Sequence, residues 1–139
     1  MLLRLKALAL TTFKRKRIGL VTTFRSGLEE AIAAQLKTAG VPYEYETRKL
    51  AYTKPASSHQ YQPDFWVGAL CIESKGIFDS DDRAKHLLVR AQHPDVEIRF
   101  VFSNSRAKLY KGSKTTYGMW CEKNGYLYAD KRIPVEWLT

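Results

Sequence analysis

Hydrophobic and polar positions change period several times along the chain, and each change predicts an element. From Ser26 to Ala39 (SGLEEAIAAQLKTA), Leu28, Ile32, Gln35 or Leu36, and Ala39 share one face at helical spacing. Ser26 with Glu29 three residues on is the pattern of a capping box, and Gly40 suits the position just past a helix end. Val41 to Leu50, with Tyr43 and Tyr45 in alternation, reads as a strand. Lys54 to Pro63 is polar and proline-bounded, and reads as a connector. Phe65 to Val67 and Leu70 to Lys75 form a hairpin-like strand pair around Gly68. Ser80-Asp81-Asp82 caps a second helix that runs to about Gln92 and stops before Pro94. Val96, Ile98, Phe100 and Phe102 alternate strictly, the mark of a half-buried strand. A loop from Ser103 to Ser113 follows, then a short helix around Tyr117 to Lys123 that ends near Gly125, and a last turn opened by Pro134. No repeat or low-complexity segment interrupts this order. The fold class it predicts is α/β, a central sheet with flanking helices.

Composition sharpens that picture in three ways. At 139 residues and 45% hydrophobic, the chain suits one domain with a real core. Its formal net charge of +9 favours a polyanionic partner, nucleic acid first. Cys71 and Cys121 make neither a disulfide framework nor a metal spacing, and read as reduced thiols in a cytosolic compartment. No apolar run is long enough to span a membrane. Ahead of Glu29 there is no acidic residue, and Lys14, Arg15, Lys16 and Arg17 form a basic cluster. Charges interrupt the apolar part, which argues against a secretory signal; a transit peptide shares the basic, acid-poor composition. The preferred reading is a basic arm over residues 1–18 that contacts phosphates, with a solvated tail as the alternative.

The stretch YQPDFWVGALCIESK, from Tyr61 to Lys75, sets Asp64, Glu73 and Lys75 into an apolar background. On a strand, Glu73 and Lys75 point the same way, about 7 Å apart. Asp64 stands where the partner strand begins, so the hairpin brings its carboxylate toward Glu73. Two convergent carboxylates in a partly apolar setting repel each other, and each prefers to be protonated. A divalent cation removes that conflict. Mg²⁺ takes hard oxygen ligands and keeps several waters, which suits two carboxylates plus phosphate oxygens. Lys75 is then placed to hold the attacking water or to stabilise charge on the phosphate.

Pro63-Asp64 followed by Glu73-Ser74-Lys75 resembles the PD-(D/E)xK nuclease motif. The short motif alone is also compatible with a surface hairpin carrying a Glu–Lys pair. Longer blocks are more specific: FRSGLE (from Phe24), YEYE (from Tyr43), PASSHQYQPDF (from Pro55), ESKG (from Glu73), SDDRAKHLL (from Ser80), RFVFSNSRAKLYKGS (from Arg99) and YGMWCEKNG (from Tyr117). With them the chain, from about Gly19 to Leu138, resembles the endonuclease I family of T-odd bacteriophages, the phage Holliday-junction resolvases. The link between Asp64 and Glu73 is one residue shorter than the family form, the N-terminal arm is longer, and a basic tail after the last helix is absent.

The resemblance implies a restriction-endonuclease-like mixed sheet in an intertwined, domain-swapped homodimer, found in the cytoplasm of the infected host. Residues 19–53 would be the exchanged helix and strand, 54–58 the bridge, and 59–139 the catalytic core. It implies cleavage of branched DNA, four-way junctions above all, with Mg²⁺ or Mn²⁺. Each site would use Asp64, Glu73 and Lys75 of one chain and Glu29 of the other, with the Ser74 backbone carbonyl and Glu29 as further metal ligands. Without the resemblance, Glu29 reads as a capping residue. Candidate phosphate contacts are Arg25, the 14–17 cluster, His59, Arg83, Lys85, Arg90, Arg106, Lys108 and Lys111. A solvated loop position stays open for His59, and a solvated helix face for Lys85 and Arg90. His86 reads as a packing or capping residue, and Tyr61, Tyr110 and Trp120 as core or rim packing rather than base-stacking residues. Two other readings remain: a different PD-(D/E)xK enzyme of restriction, repair or transposon-end type, and a catalytically silent junction-binding protein.

Overall fold

The computed structural model describes residues 24–54 and 57–139. The basic cluster at 14–17 and the bridge residues Pro55 and Ala56 lie outside the described residues. Helix α1 spans Gly27–Thr38. Strands β1 (Glu44–Tyr45), β2 (Leu50–Lys54), β3 (Ser57–Tyr61), β4 (Phe65–Val67) and β5 (Leu70–Lys75) follow. Then come helix α2 (Ser80–Gln92), strand β6 (Glu97–Phe102), helix α3 (Tyr117–Asn124), strand β7 (Tyr128–Asp130) and a 3₁₀ turn, Val135–Trp137.

The main sheet has the order β1-β4-β5-β6-β7. Its first three strands pair antiparallel, and β5, β6 and β7 pair parallel. The parallel half follows from the crossovers, since α2 and α3 each return the chain to the same end of the sheet. Pleating sends alternate residues to opposite faces. On one face Cys71, Ile98, Phe100 and Phe102 pack with Phe78, Val89 of α2 and Trp120 and Cys121 of α3. On the other, Ile72, Val101 and Phe65 pack against Ile32, Ala33 and Leu36 of α1. The result is a three-layer α/β/α domain. Ile32 and Leu36 are fully buried, so truncating either to alanine should cost about 2–5 kcal/mol.

Four local expectations need correction. The strand foreseen over 41–50 holds only β1 and, at Leu50, the first residue of β2, because the chain turns at Glu46, a non-glycine residue with φ 49°. Its amide donates to the Asp64 carbonyl at 3.1 Å, which fixes that turn. The expected connector from Lys54 to Pro63 is mostly β3, paired antiparallel with β2 from Leu50↔Tyr61 to Lys54↔Ser57. Four of its five residues are exposed, so it carries no hydrophobic period to betray it. Asp79, not Ser80, caps α2: its carboxylate accepts from the Asp82 amide at 2.9 Å. Finally, β6 is half-buried only at its start. From Phe100 to Phe102 it is buried on both faces, because both neighbours are paired and helices cover both sides.

Other expectations hold. Ser26 caps α1 through the Glu29 amide, and Gly40 takes the left-handed conformation beyond its end. Gly68, at φ 64°, turns the β4–β5 hairpin. Thr116 caps α3 and Gly125 ends it in the left-handed region. Both cysteines are free and buried. No described helix is long and apolar enough to cross a membrane.

Candidate active site

The site forms around β5, the central strand, and draws side chains from both faces of the sheet. Glu73 and Lys75 share the face of Cys71, toward α2; Ser74 shares the opposite face, toward α1. On the first face, Glu73 is buried, and Lys75 Nζ lies 3.7 Å from its Oε2. Asp82 of α2 holds the same ammonium at 3.0 Å. The Tyr61 hydroxyl, at the end of β3, donates to Glu73 Oε1 at 2.8 Å.

On the second face, Asp64 Oδ2 accepts from both the Ser74 amide (2.9 Å) and the Ser74 hydroxyl (2.8 Å). Glu29 reaches in from the first turn of α1, buried, and accepts from the Tyr45 hydroxyl and from the Arg25 amide at 3.0 Å. Its carboxylate therefore reaches back one residue past the capping-box target, Ser26, while its own amide is capped by Ser26. Glu46 completes this side. Carboxylate oxygens of Glu29, Glu46 and Asp64 lie within 4.8 Å of one another. Arg25 Nε lies 3.1 Å from Glu46. The two faces meet where the Asp64 amide approaches Glu73 Oε1 at 3.4 Å.

Burial and mutual repulsion dominate the electrostatics. The Asp64 carboxyl is pushed up to about 8, by burial first and then by the charges of Glu73 and Glu29; the Ser74 bonds oppose this. Glu73 is also raised, by burial, against the pull of Lys75 and Tyr61. Burial draws Lys75 down, but Glu73, Asp82 and Asp64 outweigh it, so its ammonium is held more firmly than usual. Burial and Glu73 push the Tyr61 phenol well up, so it stays a donor. Every donor atom here is a hard oxygen, and the carboxylates resist sharing their charge. Such a set fits a divalent cation such as Mg²⁺.

The structure brings together Glu29, Asp64, Glu73, Ser74 and Lys75 in one chain. Sequence reasoning did not single out Glu46, Asp82 or Tyr45 as members. The non-glycine turn at Glu46 leaves no signature in the sequence, and Asp82 looked like a helix-start acid. The candidate phosphate contacts are dispersed. Arg25 is largely exposed apart from its pair with Glu46. His59 sits on β3, 2.7 Å from the Ser57 hydroxyl and stacked on Tyr52. Arg83 is engaged with the Phe78 carbonyl. Lys85 lies over the Tyr61 ring and 3.8 Å from Asp82. Arg90 stacks on Tyr126 and donates to the Asn124 carbonyl, tying α2 to α3. Arg106, Lys108 and Lys111 are exposed on the loop after β6. His86 is fully buried among Tyr61, Phe78 and Phe100 with neither ring nitrogen bonded. Burial, then Lys85 and Lys75, hold it neutral.

A buried and a half-buried acid beside a lysine at the end of one strand, next to a basic loop, are groups that suit a phosphodiester-cleaving site. Comparison with known proteins agrees. A family profile described as phage endonuclease I matches residues 9–139. Endonuclease I of Escherichia phage T7 is 54% identical over 124 residues, 88% of this chain and 83% of that protein. Endodeoxyribonuclease 1 of Enterobacteria phage T3 is 57% identical over 113 residues, 81% and 74% of the two chains. The chain belongs to the phage endonuclease I family, and as such it is a nuclease.

Proposed function

We propose that this nuclease is a metal-dependent, structure-selective endodeoxyribonuclease that resolves four-way junctions and other branched DNA by paired cuts. The observation that carries the reading is the half-buried Asp64 and the buried Glu73, facing each other across one hairpin beside a Lys75 ammonium held by Glu73 and Asp82. DNA as substrate draws support from the name of the T3 relative. Asp64, Glu73 and the Ser74 carbonyl would hold Mg²⁺ or Mn²⁺, with Glu29 and Glu46 beside them. Bound there, the ion would supply charge neutralisation and a lowered pKa for water.

This chain's residues do the rest. Ser74 fixes the rotamer of Asp64 through two bonds, and Tyr61 fixes Glu73 through one. Asp82 and Glu73 pin the Lys75 ammonium, so it meets an incoming phosphate oxygen with little loss of freedom. Lys75 then stabilises the negative charge that grows on the phosphate in the transition state. The half-buried walls keep that charge poorly solvated, which strengthens each contact.

Paired cutting calls for a homodimer with two sites related by a two-fold axis. We place the exchange at the β2–β3 turn. The contacts that join Glu29 and Glu46 to Asp64 within one chain form equally well between chains if that turn opens. The host cytoplasm is the proposed compartment.

The test is a four-way junction with Mg²⁺, against a linear duplex of the same sequence and against EDTA. Junction-selective, Mg²⁺-dependent cutting is the expected result. Cutting both DNAs at one rate would favour another PD-(D/E)xK enzyme, and tight junction binding with no cutting would favour the silent binding protein. Exchange is read separately by co-refolding Glu29→Gln chains with Asp64→Ala chains. Exchange places one intact site in each mixed dimer and restores nicking of one strand, whereas unexchanged chains leave every site damaged and inactive.

A further inference from the structure

The loop from Ser103 to Thr116 leaves β6 where β6 meets the end of β5. The Ser103 amide donates to the Lys75 carbonyl at 3.0 Å, so the loop starts beside the catalytic lysine. It is tightly built. Ser105 bonds Asp130 through both amide (2.6 Å) and hydroxyl (2.7 Å). The Leu109 amide bonds the Thr115 carbonyl at 3.0 Å, the Ser113 amide bonds the Tyr110 carbonyl at 2.9 Å, and Lys108 pairs with Thr116. Leu109 packs onto the aromatic core, and its neighbour Tyr110 stands out at the tip, 65% exposed. Single exposed apolar residues are ordinary on a protein surface. Tyr110 differs in its setting. Arg106, Lys108, Lys111 and Lys114 surround it in sequence, all exposed, with no ion pair among the described residues. From Ile98 to Cys121 the chain has no acidic residue at all.

We infer that Tyr110 stacks on a base face that only branched or interrupted DNA exposes, and so acts as a specificity-determining residue. This rests on the DNA-junction reading above. In a continuous duplex each base is covered on both sides, and a phenol ring finds no open face. At a branch point, an arm's terminal base pair presents one. The loop cations hold the backbone, which positions without reading sequence. The tip lies at most about 25 Å from Ser103, less than one duplex turn of ~34 Å, so one DNA molecule reaches both the ring and the site. The loop's internal bonds already fix the backbone that carries Tyr110, so little main-chain freedom is lost on stacking.

The experiment measures binding in EDTA of a four-way junction carrying 2-aminopurine beside the branch, and of a linear duplex of matched sequence. The proteins are the full chain and its Tyr110→Ala and Tyr110→Phe variants; circular dichroism and melting check that all fold alike. Tyr110→Ala should raise Kd for the junction about 10-fold and for the duplex less than about 2-fold, and abolish the quenching of 2-aminopurine; Tyr110→Phe should keep both. Equal weakening on both DNAs, no weakening, or a loss with phenylalanine as large as with alanine would overturn the stacking role. If the wild type binds junction and duplex equally, the function reading fails and takes this inference with it. If the wild type prefers the junction and Tyr110→Ala keeps that preference, only the inference fails.

Discussion

At the carboxyl ends of β5 and β6, two charged regions stand next to each other and treat their charges in opposite ways. Around β5, Asp64, Glu73 and Lys75 each have named partners and are largely buried. On the 103–116 loop, Arg106, Lys108, Lys111 and Lys114 are exposed and have no acid partner among the described residues. Committed charge costs mobility and gains geometry, which chemistry at one phosphorus needs. Uncommitted charge keeps its mobility and attracts many phosphates at once, which sets affinity. The difference teaches that the two jobs are separable by mutation.

The strongest way to expose that separation is Glu73→Gln, which keeps the shape and the Tyr61 contact but removes the charge. Cleavage of a four-way junction should fall roughly 10³-fold while affinity stays within a few-fold. Single-turnover gels with a parallel binding titration measure both; cutting within about 10-fold of wild type would remove Glu73 from the catalytic set.

The next effect is on stability, and it belongs to the buried side alone. Unfolded, the Asp64 carboxyl ionises near 3.8; folded, near 8. Between those values the folded chain keeps a proton that the unfolded chain has lost. Stability therefore falls as pH rises through this window, by up to about 1.4 kcal/mol per unit, and levels off above it. Thermal melts in EDTA from pH 5 to 8 should show a declining Tm, and Asp64→Asn should flatten the slope. Added Mg²⁺ should raise Tm more at pH 8 than at pH 5, because the proton it must displace from Asp64 is held less tightly there. A slope unchanged by Asp64→Asn would mean that another group carries it.

The smallest effect is on the loop. Lys108→Ala or Lys111→Ala should weaken junction binding only a few-fold and reduce the slope of log affinity against log salt by about 0.9 for each lost phosphate contact. The cleavage rate at saturating protein should not change. A fall in that rate would break the comparison, because it would tie the loop to the chemical step.

These regions were unequally legible in the sequence. Alternation alone put Glu73 and Lys75 on one face of a strand, and the Gly68 turn put Asp64 opposite. Both depend on contacts near in the chain, so a period-2 pattern and one turn residue sufficed. Glu46 and Asp82 depend on how distant elements pack. Glu46 needs a left-handed turn tied to Asp64, and Asp82 needs α2 laid along β5. The β2–β3 hairpin was hidden for another reason. Its strand β3 is exposed except at Tyr61, and a strand with no buried face has no alternation to read. The layered order was legible from element types, but not the burial of β6 from Phe100 to Phe102, which its place between two paired strands explains.

The turn between β2 and β3 also divides the site by time. A ribosome makes Glu29, Tyr45 and Glu46 before that turn, and Tyr61, Asp64, Glu73, Lys75 and Asp82 after it. Neither set is complete alone, so a truncated product ending in the hairpin holds acids without the lysine. The basic loop matures later still, because Ser105 is fixed by Asp130, made 25 residues afterwards. On the proposed site assignment, the enzyme is unarmed until Asp82 has been made, well past the middle of the chain.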